Sequence, residues 1–134
     1  MKTSLMCLIE QFPPPDGRVS NYTTVTCKFV VIREDDTLSL VIGDVGKYPY
    51  HATLISEFCR ENGIKSRWIK KPDVIRVCDE EVAIRGGGWA EIIPGTRSCK
   101  VYGRSNAYGR YDSDEVRTVL SGQELLSEYR VTVE

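Results

Sequence analysis

Histidine is the scarcest residue type in this chain, with His51 as its one occurrence in 134 residues. A zinc site built from several imidazoles is therefore excluded, and the five cysteines do not replace it, since no two form a CxxC pair. An odd number of scattered cysteines gives no disulfide framework, so we interpret them as reduced thiols. The carboxylates show no metal-ligand spacing, and we expect neither a metal ion nor another cofactor.

Long apolar runs and an excess of one charge are also lacking. No run approaches the roughly 20 residues that span a membrane, and 18 Lys and Arg stand against 19 Asp and Glu. The short apolar stretch at residues 5–9 is interrupted by Glu10, and no small-residue cleavage site of a signal peptide follows it. We therefore expect a cytoplasmic monomer that binds neither membranes nor nucleic acid.

The pattern along the chain predicts one α/β or α+β domain over residues 1–134. About six strands form a mixed sheet, and two main helices pack on it. Residues 1–21 are interpreted as an amino-terminal element and a proline-rich loop. The other predicted elements are a hairpin over 22–34 and 37–43, a helix from about His51 to Asn62, short strands within 64–85, strands over 89–93, 98–105 and 127–134, and a helix over 112–122.

Two segments have features of a phosphate site. His51 lies at the predicted start of a helix, where free N–H groups attract an anion and the helix dipole keeps an imidazole neutral. Residues 101–110, VYGRSNAYGR, combine glycines with Ser105 and Ala107, which allow close approach to a ligand. Each pattern alone also fits a plain structural role. A Cys–His nucleophile pair stays open as well, because Cys59 lies two turns along the same helix.

Taken together, these segments resemble the Janus/Ocnus family of protein histidine phosphatases. The matching stretches are KFVVIR at 28–33, YHA at 50–52, GGG at 86–88, VYGRSNAYG at 101–109 and the closing EYRVTV. The resemblance covers residues 28–134. It implies a small metal-independent enzyme that hydrolyses the P–N bond of phosphohistidine, with phospholysine as a second candidate, on a phosphorylated protein or peptide.

The resemblance also implies roles for particular residues. It makes His51 the catalytic residue, as general base or nucleophile, and Lys28 a cation that binds the phosphoryl group. The further phosphate-binding residues that it implies are Tyr50, Ala52, Ser105, Asn106 and Ala107.

Two departures from the family pattern concern the choice of substrate. The arginine expected after the triple glycine is Trp89 here, and three residues are candidates to replace it: Arg85, Arg104 and Arg110. If residue 104 lies in a strand, its side chain points away from Ser105. The stretch between the histidine and the glycines is also longer, with extra residues around 65–80 that could reshape the rim of the pocket.

Two other functions stay open. The same pocket could serve a non-catalytic module that recognises phosphate or another protein, and the missing arginine supports this alternative. Residues 64–76 carry five basic residues around Trp68, a composition found in single-strand nucleic-acid binders. The slightly acidic total charge argues against nucleic acid and favours a solvated strand face, and the same basic face could also recruit an acidic protein substrate.

Overall fold

The computed structural model of the chain describes residues 2–10 and 24–134. The predicted proline-rich loop over 11–21 lies outside the described residues. In chain order the elements are β1 (Lys2–Cys7), β2 (Val25–Glu34), β3 (Thr37–Asp44), α1 (His51–Asn62), β4 (Ser66–Lys70), β5 (Val74–Val77), β6 (Val82–Ile93), β7 (Ser98–Tyr102), α2 (Ser113–Ser121), a 3₁₀ turn (Glu124–Leu126) and β8 (Arg130–Val133).

Six of these strands form one mixed sheet in the order β1-β3-β2-β6-β7-β8. The inner pairings are antiparallel, whereas β1 runs parallel to β3 and β8 runs parallel to β7. The remaining strands, β4 and β5, form a separate antiparallel hairpin. The described residues therefore form a single α+β domain with a six-stranded sheet and two helices, which confirms the predicted fold class.

Alternation along the central strand β2 divides the core into two layers. Phe29 and Val31 point to the layer under α2, while Val30 and Ile32 point to the layer shared by α1 and the β4–β5 hairpin. All four side chains are buried, as the prediction of a strand apolar on both faces requires. By the same alternation Lys28 lies on the α1 face of the sheet, near the start of β2.

The ends of both helices follow their local sequence. The helix α1 ends at Gly63, which has φ 65° and donates its N–H to Cys59 O, as the Asn-Gly signal predicts. The helix α2 begins after Asp112, whose carboxylate accepts from the N–H groups of Asp114 and Glu115. Neither helix, nor any other in the described ranges, has the length and apolar character needed to cross a membrane.

Two predicted boundaries are wrong. The triple glycine does not break the chain, because Gly86, Gly87 and Gly88 lie inside the long strand β6. Glycine is needed at these positions because neighbouring groups pack closely against the backbone on both faces of the sheet and leave no room for a Cβ. The strand predicted over 98–105 ends at Tyr102, since Gly103 has φ 79° and turns the chain out of the sheet.

Candidate active site

An open cleft of about 800 Å³ lies on the α1 face of the sheet, between the start of α1, the loop after β7 and the β4–β5 hairpin. The structure brings together six of the seven residues that the resemblance implied for catalysis and phosphate binding: Lys28, Tyr50, His51, Ser105, Asn106 and Ala107. Ala52 does not line the cleft, because its side chain is fully buried in the core behind His51. Only its main-chain N–H, in the uncapped first turn of α1, remains as a donor.

His51 is held against the sheet by one hydrogen bond. The residue is 8% exposed, and Nε2 of its ring lies 2.9 Å from Gly88 O. A carbonyl oxygen only accepts, so Nε2 carries the proton and Nδ1 keeps a lone pair. Nδ1 makes no hydrogen bond with the described residues. Every buried side-chain nitrogen among those residues has a hydrogen-bond partner, so Nδ1 is not buried. The nitrogen with the lone pair is therefore the one that solvent reaches.

The surroundings of His51 favour its neutral form. Burial lowers the pKa of the imidazole most, the hydrogen bond to Gly88 O raises it by less, and the Lys28 ammonium lowers it further. The resulting pKa of His51 lies below the ordinary value of 6.5. At neutral pH the ring can therefore accept a proton or attack phosphorus.

The triple glycine makes room for the histidine ring. A Cβ at Gly87 would lie 2.6 Å from Phe29 O and 2.9 Å from Cδ2 of His51. A Cβ at Gly88 would lie 2.8 Å from Tyr102 O and 2.9 Å from the Tyr111 ring. The glycines therefore allow neighbouring groups to pack directly against the backbone of β6, and the carbonyl oxygen of Gly88 accepts the hydrogen bond that holds the imidazole.

A Gly87→Ala variant is expected to lose about 1–3 kcal/mol of unfolding free energy, because its methyl group overpacks against backbone and ring. Denaturant unfolding measures this loss. The matched control is Gly46→Ala, whose Cβ would make only an ordinary 3.6 Å contact with Asp44. If both variants unfold at the same denaturant concentration, the close packing at position 87 is contradicted.

Lys28 reaches the cleft over an aromatic wall. It pairs with Trp89 on β6, and Trp89 pairs with Tyr102 on β7. Its Nζ lies 4.7 Å from the centroid of the Trp89 ring and donates to Pro49 O at 2.5 Å. Burial lowers the pKa of this ammonium. Its other N–H donors have no hydrogen-bond partner within residues 2–10 and 24–134, and Lys28 lines the cleft.

The loop after β7 presents free main-chain donors. Ser105 and Gly109 exchange two backbone hydrogen bonds, and the buried Ser105 Oγ accepts from the N–H of Tyr108. The serine thus holds the turn closed and keeps its own O–H proton to donate. The N–H groups of Asn106 and Ala107 have no acceptor in the described part of the chain. Two adjacent free N–H groups at a tight turn suit an oxyanion.

The three candidate arginines have different positions. Arg85 forms an ion pair of 2.9 Å with Glu115 on α2, and Arg110 donates to the carbonyl groups of Gly103 and Glu134. Neither lines the cleft, whereas Arg104 does. Because the strand ends at Tyr102, the expectation that residue 104 points away from Ser105 no longer applies. Trp89 packs against Gly103, where a Cβ would lie 2.9 Å from the indole.

The hairpin supplies residues that sequence reasoning did not assign to the site. Lys70, Asp73 and Val74 line the cleft opposite the elements that carry His51 and Lys28. The hairpin is fixed there because the Tyr108 hydroxyl donates to Ile75 O at 2.9 Å and accepts from Ile75 N at 2.8 Å. The signal for this wall was the longer stretch around 65–80, which the sequence placed at the rim without naming its residues.

The cysteines take no part in the cleft. All five are free, and none of them lines it. Cys59 is buried in the core under α1, and burial raises its pKa, which disfavours the thiolate that a nucleophile needs. Burial also raises the pKa of Cys27 to about 12 and that of Cys99 to about 11. Among the described residues, no three of the His, Cys, Asp and Glu side chains could together hold a metal ion.

An uncapped helix start, a neutral imidazole, an ammonium group and a tight turn with free N–H groups therefore surround one cleft on a small α+β domain. Residues 17–130 match the Janus/Ocnus family (Ocnus). The match spans most of the chain, so the chain belongs to this family. A search among curated proteins gives no match.

Proposed function

We propose that the protein is a protein histidine phosphatase, which hydrolyses the P–N bond of phosphohistidine on a protein or peptide, with phospholysine as a second substrate. The carrying observation is the position of His51. Its Nδ1 keeps a lone pair, reaches solvent and shares a cleft with the Lys28 ammonium and the free N–H groups of Asn106 and Ala107. These residues place one proton acceptor and several hydrogen-bond donors that can bind an anion around a single cleft.

The reaction uses the lone pair on Nδ1 in one of two ways. As a general base, Nδ1 takes a proton from water while the water oxygen bonds to phosphorus and the P–N bond breaks; the proton then passes to the leaving nitrogen. As a nucleophile, Nδ1 itself bonds to phosphorus, the substrate nitrogen leaves with a proton from solvent, and water later cleaves the phosphorylated His51. Both routes yield inorganic phosphate and the unmodified side chain.

The donors around the cleft stabilise charge on the phosphoryl oxygens. Phosphoryl transfer passes through a loose transition state, so the protein contributes mainly through positioning and electrostatics. Lys28 supplies a full positive charge, and the turn at Asn106 and Ala107 supplies fixed dipoles. Because these groups already carry the positive charge, the proposed reaction needs no metal ion.

The test is the release of phosphate from a synthetic phosphohistidine peptide. The wild-type protein is expected to release it faster than spontaneous hydrolysis, and EDTA is expected to leave the rate unchanged. Loss of activity with EDTA and its return with a divalent ion would contradict the metal-independent mechanism. The absence of any release above the spontaneous rate would contradict the phosphatase assignment itself.

The alternative is a module that binds phosphorylated partners without turning them over. It is supported by Trp89, which stands where the family pattern leads us to expect an arginine and leaves Arg104 as the one candidate replacement in the cleft. The two functions differ in one measurement. A non-catalytic module binds the phosphohistidine peptide, as calorimetry detects, yet leaves its phosphate content unchanged over the same period.

A further inference from the structure

The cleft extends beyond the phosphoryl site along the β4–β5 hairpin. A volume of about 800 Å³ lies in the range that holds a ligand of many atoms. We infer that the hairpin residue Lys70 and the loop residue Arg104 form a subsite for acidic residues that flank the phosphorylated side chain. This inference rests on the proposed function, because it describes which phosphorylated segments the phosphatase prefers.

The charges along the cleft carry this inference. Among the described residues its charged lining side chains are Lys28, Lys70 and Arg104 against Asp73, so three positive charges face one negative charge. When Lys28 holds the phosphoryl group, Lys70 and Arg104 remain on two different walls. A peptide whose phosphorylated residue lies between acidic neighbours matches this distribution.

The side chain of Lys70 is free to engage a partner. It is 76% exposed, and the one ion pair that it forms with a described residue, Asp73, is long at 3.8 Å. An exposed pair of this kind contributes little to stability, so a substrate carboxylate can displace it at low cost. Arg104 is exposed and forms no ion pair with any residue in the described ranges.

The hairpin provides a fixed wall for these charges. Ile75 on β5 is buried in the core under α1, and Trp68 packs against the same core. The two hydrogen bonds between Tyr108 and Ile75 connect the hairpin to the loop that carries Asn106 and Ala107. The flank subsite and the phosphoryl site are therefore held in one geometry.

The aromatic residues favour a peptide over a nucleic-acid strand. Single-strand binders need open ring faces on which bases stack. Here the Trp89 ring is covered by the Lys28 ammonium at 4.7 Å and packs against Gly103. Trp68, on β4, is half-buried against the core under α1, with the Lys71 ammonium 5.9 Å from its ring centroid. The faces of the two tryptophan rings are thus already covered by protein groups and are not open for base stacking.

The experiment compares three phosphohistidine peptides that differ only in their flanking residues, which are aspartate, serine or lysine. The readout is the ratio of kcat/KM for the acidic peptide to kcat/KM for the basic peptide. We expect a ratio above 1 for the wild-type protein, decreasing as salt rises because exposed charges are screened. A loss of phosphoryl contacts lowers all three values together, so the ratio reports the flank subsite alone.

Four variants test the assignment. Lys70→Glu and Arg104→Glu are each expected to lower the ratio by about 5- to 25-fold, because an exposed pair changes an equilibrium by up to about fivefold and reversal replaces attraction by repulsion. Asp73→Asn is expected to raise the ratio by up to about fivefold. Arg130→Glu, on β8 and outside the cleft, is the control with an unchanged ratio.

The outcomes separate this inference from the proposed function. If no peptide is hydrolysed, the phosphatase assignment fails. If all three peptides are hydrolysed with a wild-type ratio near 1, or if the two reversals leave the ratio unchanged, the flank subsite is overturned while the phosphatase stands. Stronger inhibition by a single-stranded oligonucleotide than by the unphosphorylated form of the acidic peptide would also overturn it.

Discussion

A His51→Gln variant is expected to retain its fold and to release phosphate from a phosphohistidine peptide about 10²–10⁴ times more slowly than the wild-type protein. The glutamine amide N–H₂ can still donate to Gly88 O, which accepts from Nε2 of His51 in the structure. What the variant lacks is the lone pair of Nδ1. The substitution therefore removes the chemistry while it keeps the anchor.

The comparison with His51→Ala separates these two effects. Alanine removes the ring and leaves Gly88 O without its partner, so this variant is expected to lose stability as well as activity. Rates are measured as phosphate release, and stability by denaturant unfolding. Equal rates for the wild-type protein and both variants would end the assignment of His51 as the catalytic residue.

The two variants leave the choice between base and nucleophile to a further measurement. A nucleophilic His51 carries the phosphoryl group for part of each turnover. Rapid quenching in alkali, which preserves phosphohistidine, would then trap phosphate on the wild-type protein and none on either variant. If no phosphorylated protein accumulates during fast turnover, the general-base route is favoured.

The sequence predicted the helix start and the central strand because both depend on local patterns. Pro49, the apolar stripe after it and the Asn-Gly stop fix α1, and β-branched residues on both faces fix β2. The convergence of Lys28, His51 and residues 105–107 on one cleft was expected from the resemblance. Spacing alone does not contain it, since the pairing of β2, β6 and β7 and the hydrogen bond from His51 to Gly88 O bring the three segments together.

The errors have a common physical cause. Three glycines in a row indicate a break when only the chain itself is considered. In the fold they lie in a strand because β6 pairs with β2, and glycine is needed because the His51 ring packs against Gly87 and the Tyr111 ring against Gly88. The sequence likewise did not predict which groups the candidate arginines bind. Arg85 is committed to Glu115, which lies thirty positions further along the chain.

A Lys28→Met variant is expected to lower kcat/KM for phosphohistidine by about 10²–10³-fold, the loss typical of one well-aimed charge-stabilising donor. Methionine fills a similar volume over the Trp89 ring but carries no charge. The matched control is Lys47→Met, because Lys47 is an exposed lysine that stacks on Tyr48 outside the cleft. If the two lysine variants have the same kcat/KM, Lys28 does not bind the phosphoryl group.

The same variant is expected to change the pH dependence, because the Lys28 ammonium is one of the causes that lower the pKa of His51. The neutral ring is the active form, so activity is lost as pH falls through the folded pKa, which lies below 6.5. The neutral, buried ring also contributes stability that is complete above pH 6.5 and declines as pH falls toward the folded pKa. Without the ammonium the pKa rises, and the acid limb of the rate profile moves to higher pH.

An NMR titration measures this shift directly, because one histidine in 134 residues gives one set of imidazole signals. In Lys28→Met the midpoint is expected above that of the wild-type protein and still below 6.5, since burial is the largest cause of the lowered pKa. The acid limb of kcat/KM must move with the midpoint if the titrating ring and the catalytic ring are the same. A midpoint that rises while the limb stays in place would assign the essential base to another group and leave His51 a structural residue.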